Sequence, residues 1–100
     1  MIHFEELWEE CEKLQKDIVV EGNSSEIINE LMMKLNIYKA IDLNSNIPND
    51  ERQKIKSRTL GEILLTFTQL SLKDNINVYE ALYTAYKYRS IEHYASKYPT

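Results

Sequence analysis

Arg58-Thr59-Leu60-Gly61-Glu62-Ile63-Leu64-Leu65, followed by Asp74-Asn75-Ile76-Asn77-Val78-Tyr79-Glu80-Ala81-Leu82, decides the fold class of this 100-residue chain. The first segment lies in a run whose apolar residues Ile55, Leu60, Ile63, Leu64, Phe67 and Leu70 follow the period of one helix face. That spacing predicts a helix from Pro48–Glu51 to about Lys73. Asp74-Asn75-Ile76 reads as a short turn. Asn77 followed three positions later by Glu80 is a capping-box-like start, so a further helix is predicted from Asn77 to about Lys97, with Pro99 closing the chain.

Two more helices precede these. Phe4, Leu7, Trp8, Cys11, Leu14 and Ile18 recur on one face of a helix predicted from about His3 to Val20. Glu5, Glu6, Glu9, Glu10 and Glu12 fill its other faces, and acids this early suit the positive end of the helix dipole. Glu21-Gly22-Asn23-Ser24-Ser25 reads as a turn in which Gly22 can end one helix and Asn23 or Ser24 can cap the next. Ile27, Ile28, Leu31, Met32, Leu35, Tyr38 and Ile41 then mark a helix from about Ser25 to Leu43, and Asn44 to Asp50 is the clearest loop. Short links between amphipathic helices place neighbours antiparallel. The expected fold is all-α, a single domain over residues 1–100 arranged as a four-helix antiparallel bundle of the helical-hairpin type.

Composition narrows the function. Two glycines and two prolines argue against a turn-rich sandwich or barrel, and ten aromatics argue against a disordered chain. No apolar run exceeds three residues, so no membrane span is expected, and the acidic start is unlike a secretory signal. A lone cysteine, Cys11, permits no internal disulfide and fits a reducing, cytoplasmic setting; its spacing reads as a buried, unreactive thiol. The net charge of −4 disfavours a duplex nucleic-acid binder. There is no glycine-rich phosphate loop and no zinc-ligand spacing, and His3 and His93 read as surface residues. A core this small makes a homodimer or higher homo-oligomer an expectation.

A helix reading Leu-Gly-acid-aliphatic-aliphatic (Leu60 to Leu64), a short turn, and a helix start carrying Glu80-Ala81-Leu82 together resemble the second half of MazG-type nucleotide pyrophosphohydrolases. The Glu30 helix falls in the right order before it, and the match covers roughly residues 4–94. The resemblance implies an all-α fold, a nucleotide substrate, and two helices carrying E-x-x-E and E-x-x-D motifs whose acids share faces and hold Mg²⁺. Such a metal neutralises phosphate charge and activates water. Here Glu30 matches the first acid, Met33 stands where the second belongs, Thr59 replaces the third, and Glu62 keeps the charge of the fourth. Two of four carboxylates remain, with Glu26 one turn before Glu30 as a candidate third, so Mg²⁺ is expected to bind weakly or not at all.

Cations stand beside the replaced acids. Lys34 adjoins Met33, Arg58 adjoins Thr59, and Lys54 lies one turn before Arg58. These three could hold phosphate directly; the competing reading is a solvated helix face. Tyr79, Tyr83 and Tyr86 form a stripe that could stack a nucleobase, though core or subunit packing is the commoner use of such a stripe, and Trp8 reads first as core. The leading expectation is a protein that binds or sequesters an ordinary, cyclic or signalling nucleotide with little or no hydrolysis. The alternatives are a Mg²⁺-dependent nucleoside triphosphate pyrophosphohydrolase using Glu30, Glu62 and Glu26, and a helical protein-interaction module whose acidic first helix docks on a basic partner.

Overall fold

A computed structural model describes residues 3–17 and 23–97. They form four helices and, among the described residues, no strand: α1 (Phe4–Asp17), α2 (Ser24–Leu43), α3 (Asn49–Asp74) and α4 (Val78–Lys97). The expected all-α class and order of elements hold. Gly22, Ile18 to Val20 and Pro99 lie outside the described residues.

The helix boundaries follow from local chemistry. Asn23 caps α2, its Oδ1 accepting from the Glu26 backbone N–H at 3.0 Å. Asn77 does the same for α4, accepting from the Glu80 N–H at 3.1 Å. Between α3 and α4 the chain turns through Asn75, whose backbone is left-handed at φ 55° and ψ 47°. Its N–H and that of Ile76 return to the carbonyls of Leu72 and Ser71, at 3.4 and 2.9 Å, closing the last turn of α3. Asparagine tolerates that backbone better than most residues.

α2 and α3 form an antiparallel hairpin, pinned at three levels. Ser24 donates to Asp74 at the open end, Lys34 reaches Thr66 in the middle, and Lys56 meets Asp42 beside the loop. α1 packs on α3 as well, and Gln69 Nε2 donates to Gln15 Oε1 at 3.0 Å there.

The core is narrower than the apolar stripes suggest. Among the described residues, the buried hydrophobic ones are Ile27, Leu31 and Ile63. Buried beside them on α3 are Thr66, Thr68 and Ser71, which apolar periodicity does not mark. Each hydroxyl satisfies itself on a carbonyl of its own helix: Thr66 on Glu62 (3.0 Å), Thr68 on Leu65 (2.6 Å) and Ser71 on Thr68 (2.9 Å). Small side chains of this kind allow neighbouring helices to approach closely. Conversely Leu60, Leu64 and Phe67, expected in the core, are exposed.

α4 stands apart. α2 and α1 both pack on α3, but no comparably extensive packing ties α4 to any of them. Its apolar residues Tyr79, Leu82, Tyr83, Tyr86, Tyr88 and Ile91 are all exposed. The radius of gyration, 17.1 Å, exceeds the value of about 13 Å for a compact chain of this length. No helix among the described residues is long and apolar enough to cross a membrane.

Candidate functional site

Glu30 on α2 and Glu62 on α3 come together across the seam of the hairpin, and what joins them is Lys34. The spacing of four residues puts Lys34 one turn beyond Glu30 on the same face of α2. Its Nζ lies 3.3 Å from Glu30 Oε1 and 3.9 Å from Glu62 Oε2. It also donates to Thr66 Oγ1 at 2.8 Å. Thr66 is fully buried, whereas the Lys34 side chain keeps 19% of its exposure. The ammonium is therefore anchored at its inner side by a hydroxyl and flanked at its outer side by two carboxylates.

This arrangement bears directly on a divalent ion. A Mg²⁺ ion between Glu30 and Glu62 would need the space and the carboxylate oxygens that the lysine ammonium already uses. No three His, Cys, Asp or Glu side chains among the described residues come together as a metal-holding group, so Glu26 does not join the other two. In this arrangement a lysine ammonium lies between the two carboxylates. Met33 is exposed, and Thr59 donates back to the Ile55 carbonyl at 2.8 Å. Neither replacement supplies a ligand.

Lys54, Arg58, Glu62 and Thr66 follow one another at four-residue steps. Because four residues overshoot a helical turn, this row winds around α3. It begins in solvent at Lys54 and Arg58, passes the half-exposed Glu62, and ends at Thr66 against α2. Arg58 flanks the Lys34 cluster one turn away, about 6 Å along the axis, and Lys54 lies one turn further. Neither takes part in a side-chain hydrogen bond or an ion pair among the described residues. Lys34, expected to grip phosphate alongside them, is half-buried and paired with three groups of its own chain.

The basic run at residues 52–58 thus divides by helix phase. Arg52 and Lys56 turn toward the end of α2, and Lys54 and Arg58 turn away from it. Arg52 Nη1 donates to the Asn44 carbonyl at 3.3 Å, and its other terminal nitrogen to Asn49 Oδ1. Lys56 pairs with Asp42 at 2.6 Å and lies 5.4 Å from the centre of the Tyr38 ring. The hydrogen bond from Lys56, reinforced by its charge, holds the Asp42 carboxyl below the usual aspartate value; the same bond raises Lys56. The Asp42–Lys56 pair was not foreseen from sequence. Two opposite charges 14 positions apart carry no signal until the hairpin is closed.

The tyrosine stripe is exposed on α4. Tyr79 and Tyr83 lie with ring centroids 6.4 Å apart and planes 9° from parallel. Trp8 is half-buried beside Phe4, at 5.8 Å between centroids, and its indole Nε1 is enclosed with no hydrogen-bond partner. Cys11 is a half-buried free thiol, and His3 and His93 are exposed.

No family model, curated protein or solved structure matches the chain.

Proposed function

We propose that this protein binds a nucleotide through its phosphates, without a catalytic metal, and holds or sequesters it rather than hydrolysing it. The observation carrying the proposal is Lys34: a protein cation bridges Glu30 and Glu62 where a carboxylate-bound Mg²⁺ would otherwise bridge acids and phosphate. With that ammonium in place, hydrolysis loses the ion that would orient and activate water. Binding does not, because Arg58 and Lys54 present open cations beside the cluster, Arg58 as a bidentate fork for phosphate oxygens. The nucleotide class follows from the resemblance of residues 58–65 and 74–82 to MazG-type pyrophosphohydrolases, and a homo-oligomeric, cytoplasmic protein belongs to the same reading.

Calorimetric titration with linear, cyclic and ADP-ribose-type nucleotides, in Mg²⁺ and in chelator, tests this. The expected result is saturable binding to at least one ligand, unchanged by chelation and lost when Lys54 and Arg58 are both replaced by glutamate. Absence of heat across the panel overturns the ligand. Magnesium-dependent release of pyrophosphate overturns the absence of hydrolysis.

A further inference from the structure

α4 carries an apolar stripe that the other described residues leave exposed. Tyr79, Leu82, Tyr83 and Tyr86, at steps of three, one and three residues, share one face and are 62%, 64%, 52% and 65% exposed. Leu82 also borders a groove of about 580 Å³ against Phe4 and Trp8 of α1, so the stripe continues onto the α1 side of the molecule. Exposed apolar side chains forming one continuous surface mark an interaction site more often than a solvated face.

The charges beside the stripe specify what covers it. Glu80 and Lys87 lie on the same side of the stripe, because seven residues are nearly two full turns. They are about 10 Å apart along the axis, too far to pair with each other. Neither forms an ion pair among the described residues, and Lys87 Nζ is held beside the stripe, 5.6 Å from the centre of the Tyr83 ring. In an antiparallel pair of identical helices related by a two-fold axis, residues on the same side face one another. Centring that axis between Tyr83 and Thr84 brings Glu80 opposite Lys87 of the second copy, twice by symmetry. In that register the two Tyr83 rings meet near the centre, and each Tyr86 falls between Leu82 and Tyr79 of the second copy, about 3 Å along the axis from the latter. Charge pairing selects this register, and the apolar stripe can interdigitate within it.

We infer that a second copy of this chain covers the stripe, with the two α4 helices antiparallel, crossing at Tyr83, and joined by reciprocal Glu80–Lys87 pairs. The four stripe residues offer on the order of 100 Å² each, about 400 Å² per copy, against the roughly 800 Å² per partner of an ordinary stable interface. The flank at Phe4 and Ile76, both exposed, is where the remainder is drawn from. This assembly specifies the homo-oligomer of the preceding proposal. It does not depend on any ligand, so its failure leaves nucleotide binding standing.

Sedimentation velocity over a concentration series decides it, with circular dichroism to verify that each variant keeps its helices. The wild-type chain is expected to dimerise. Glu80→Lys and Lys87→Glu should each weaken the dimer about tenfold, since each turns two attractive pairs into two repulsive ones. The combined Glu80→Lys/Lys87→Glu chain should recover wild-type association, which a merely structural role of either residue would not produce. Tyr86→Asp should abolish dimers. A wild-type chain that stays monomeric up to about 1 mM overturns the inference. So does a dimer indifferent to both single charge changes, or one that the double change fails to restore; either outcome would place the dimer contact elsewhere than the Glu80–Lys87 register.

Discussion

Replacing Lys34 by methionine isolates the ammonium at the centre of the site, because methionine keeps the length and flexibility of the buried stem. The structure gives the cost. Two ion pairs at 3.3 and 3.9 Å, with carboxylates 42% and 57% exposed, contribute about 0.5 kcal/mol each after solvent screening. The 2.8 Å hydrogen bond to the fully buried Thr66 adds about 1 kcal/mol. The loss is therefore about 2 kcal/mol, and at a urea dependence of about 1.5 kcal/mol per molar it moves the unfolding midpoint down by roughly 1 M. A second readout separates position from packing. With Lys34 gone, Glu30 and Glu62 face each other unneutralised, so millimolar Mg²⁺ should restore part of the lost stability in Lys34→Met and leave the wild type unchanged, relative to NaCl at equal ionic strength. A variant unfolding at the wild-type midpoint, or an equal response of both proteins to Mg²⁺, refutes the assignment of Lys34 as the resident cation.

Other consequences are equally measurable. Asp42, lowered by its bond from Lys56, stabilises the fold above its ordinary value of 3.8, and that contribution disappears as pH falls through the lowered value. Lys56, raised by the same bond, contributes below 10.5 and ceases to do so as pH rises through its raised value. Asp42→Asn should therefore have a lower urea midpoint than wild type at neutral pH, with the gap closing in strong acid. Asn75→Val forces a β-branched residue into the left-handed backbone at φ 55° and should cost about 1–2 kcal/mol, whereas Asn75→Gly should be neutral or mildly stabilising, both read from thermal melts. Thr66→Val removes the acceptor for Lys34 and should cost about 1–2 kcal/mol. Thr68→Val should cost markedly less, its hydroxyl serving only the Leu65 carbonyl of its own helix.

The helices themselves were legible, since Asn23, Asn75 and Asn77 announce caps and turns by local chemistry that no tertiary contact needs to supply. The burial pattern was not. Periodicity assigned Leu60, Leu64 and Phe67 to the core, yet α3 buries Thr66, Thr68 and Ser71, because a hydroxyl that bonds its own helix's carbonyl loses its cost of burial while its small size admits a close neighbour. α4 read as the fourth member of a bundle; its stripe is real, but the other described helices do not cover it. At the site, the meeting of Glu30 and Glu62 was expected from the resemblance of these segments to MazG-type pyrophosphohydrolases. The role of Lys34 was not, because adjacency to Met33 in sequence said nothing of which way its stem would run. Only the register of the hairpin, opposing residue 34 to residues 62 and 66, turns it inward.

Nitrogen–proton correlation spectra recorded while a bound nucleotide is titrated into the isotopically labelled protein test the ligand site most directly. The account predicts that amide shifts concentrate at Lys54, Arg58, Glu62 and the facing turn of α2 around Lys34, and that chelating divalent ions leaves them in place. Shifts confined to the tyrosine face of α4, or a spectrum that no nucleotide perturbs, would contradict it.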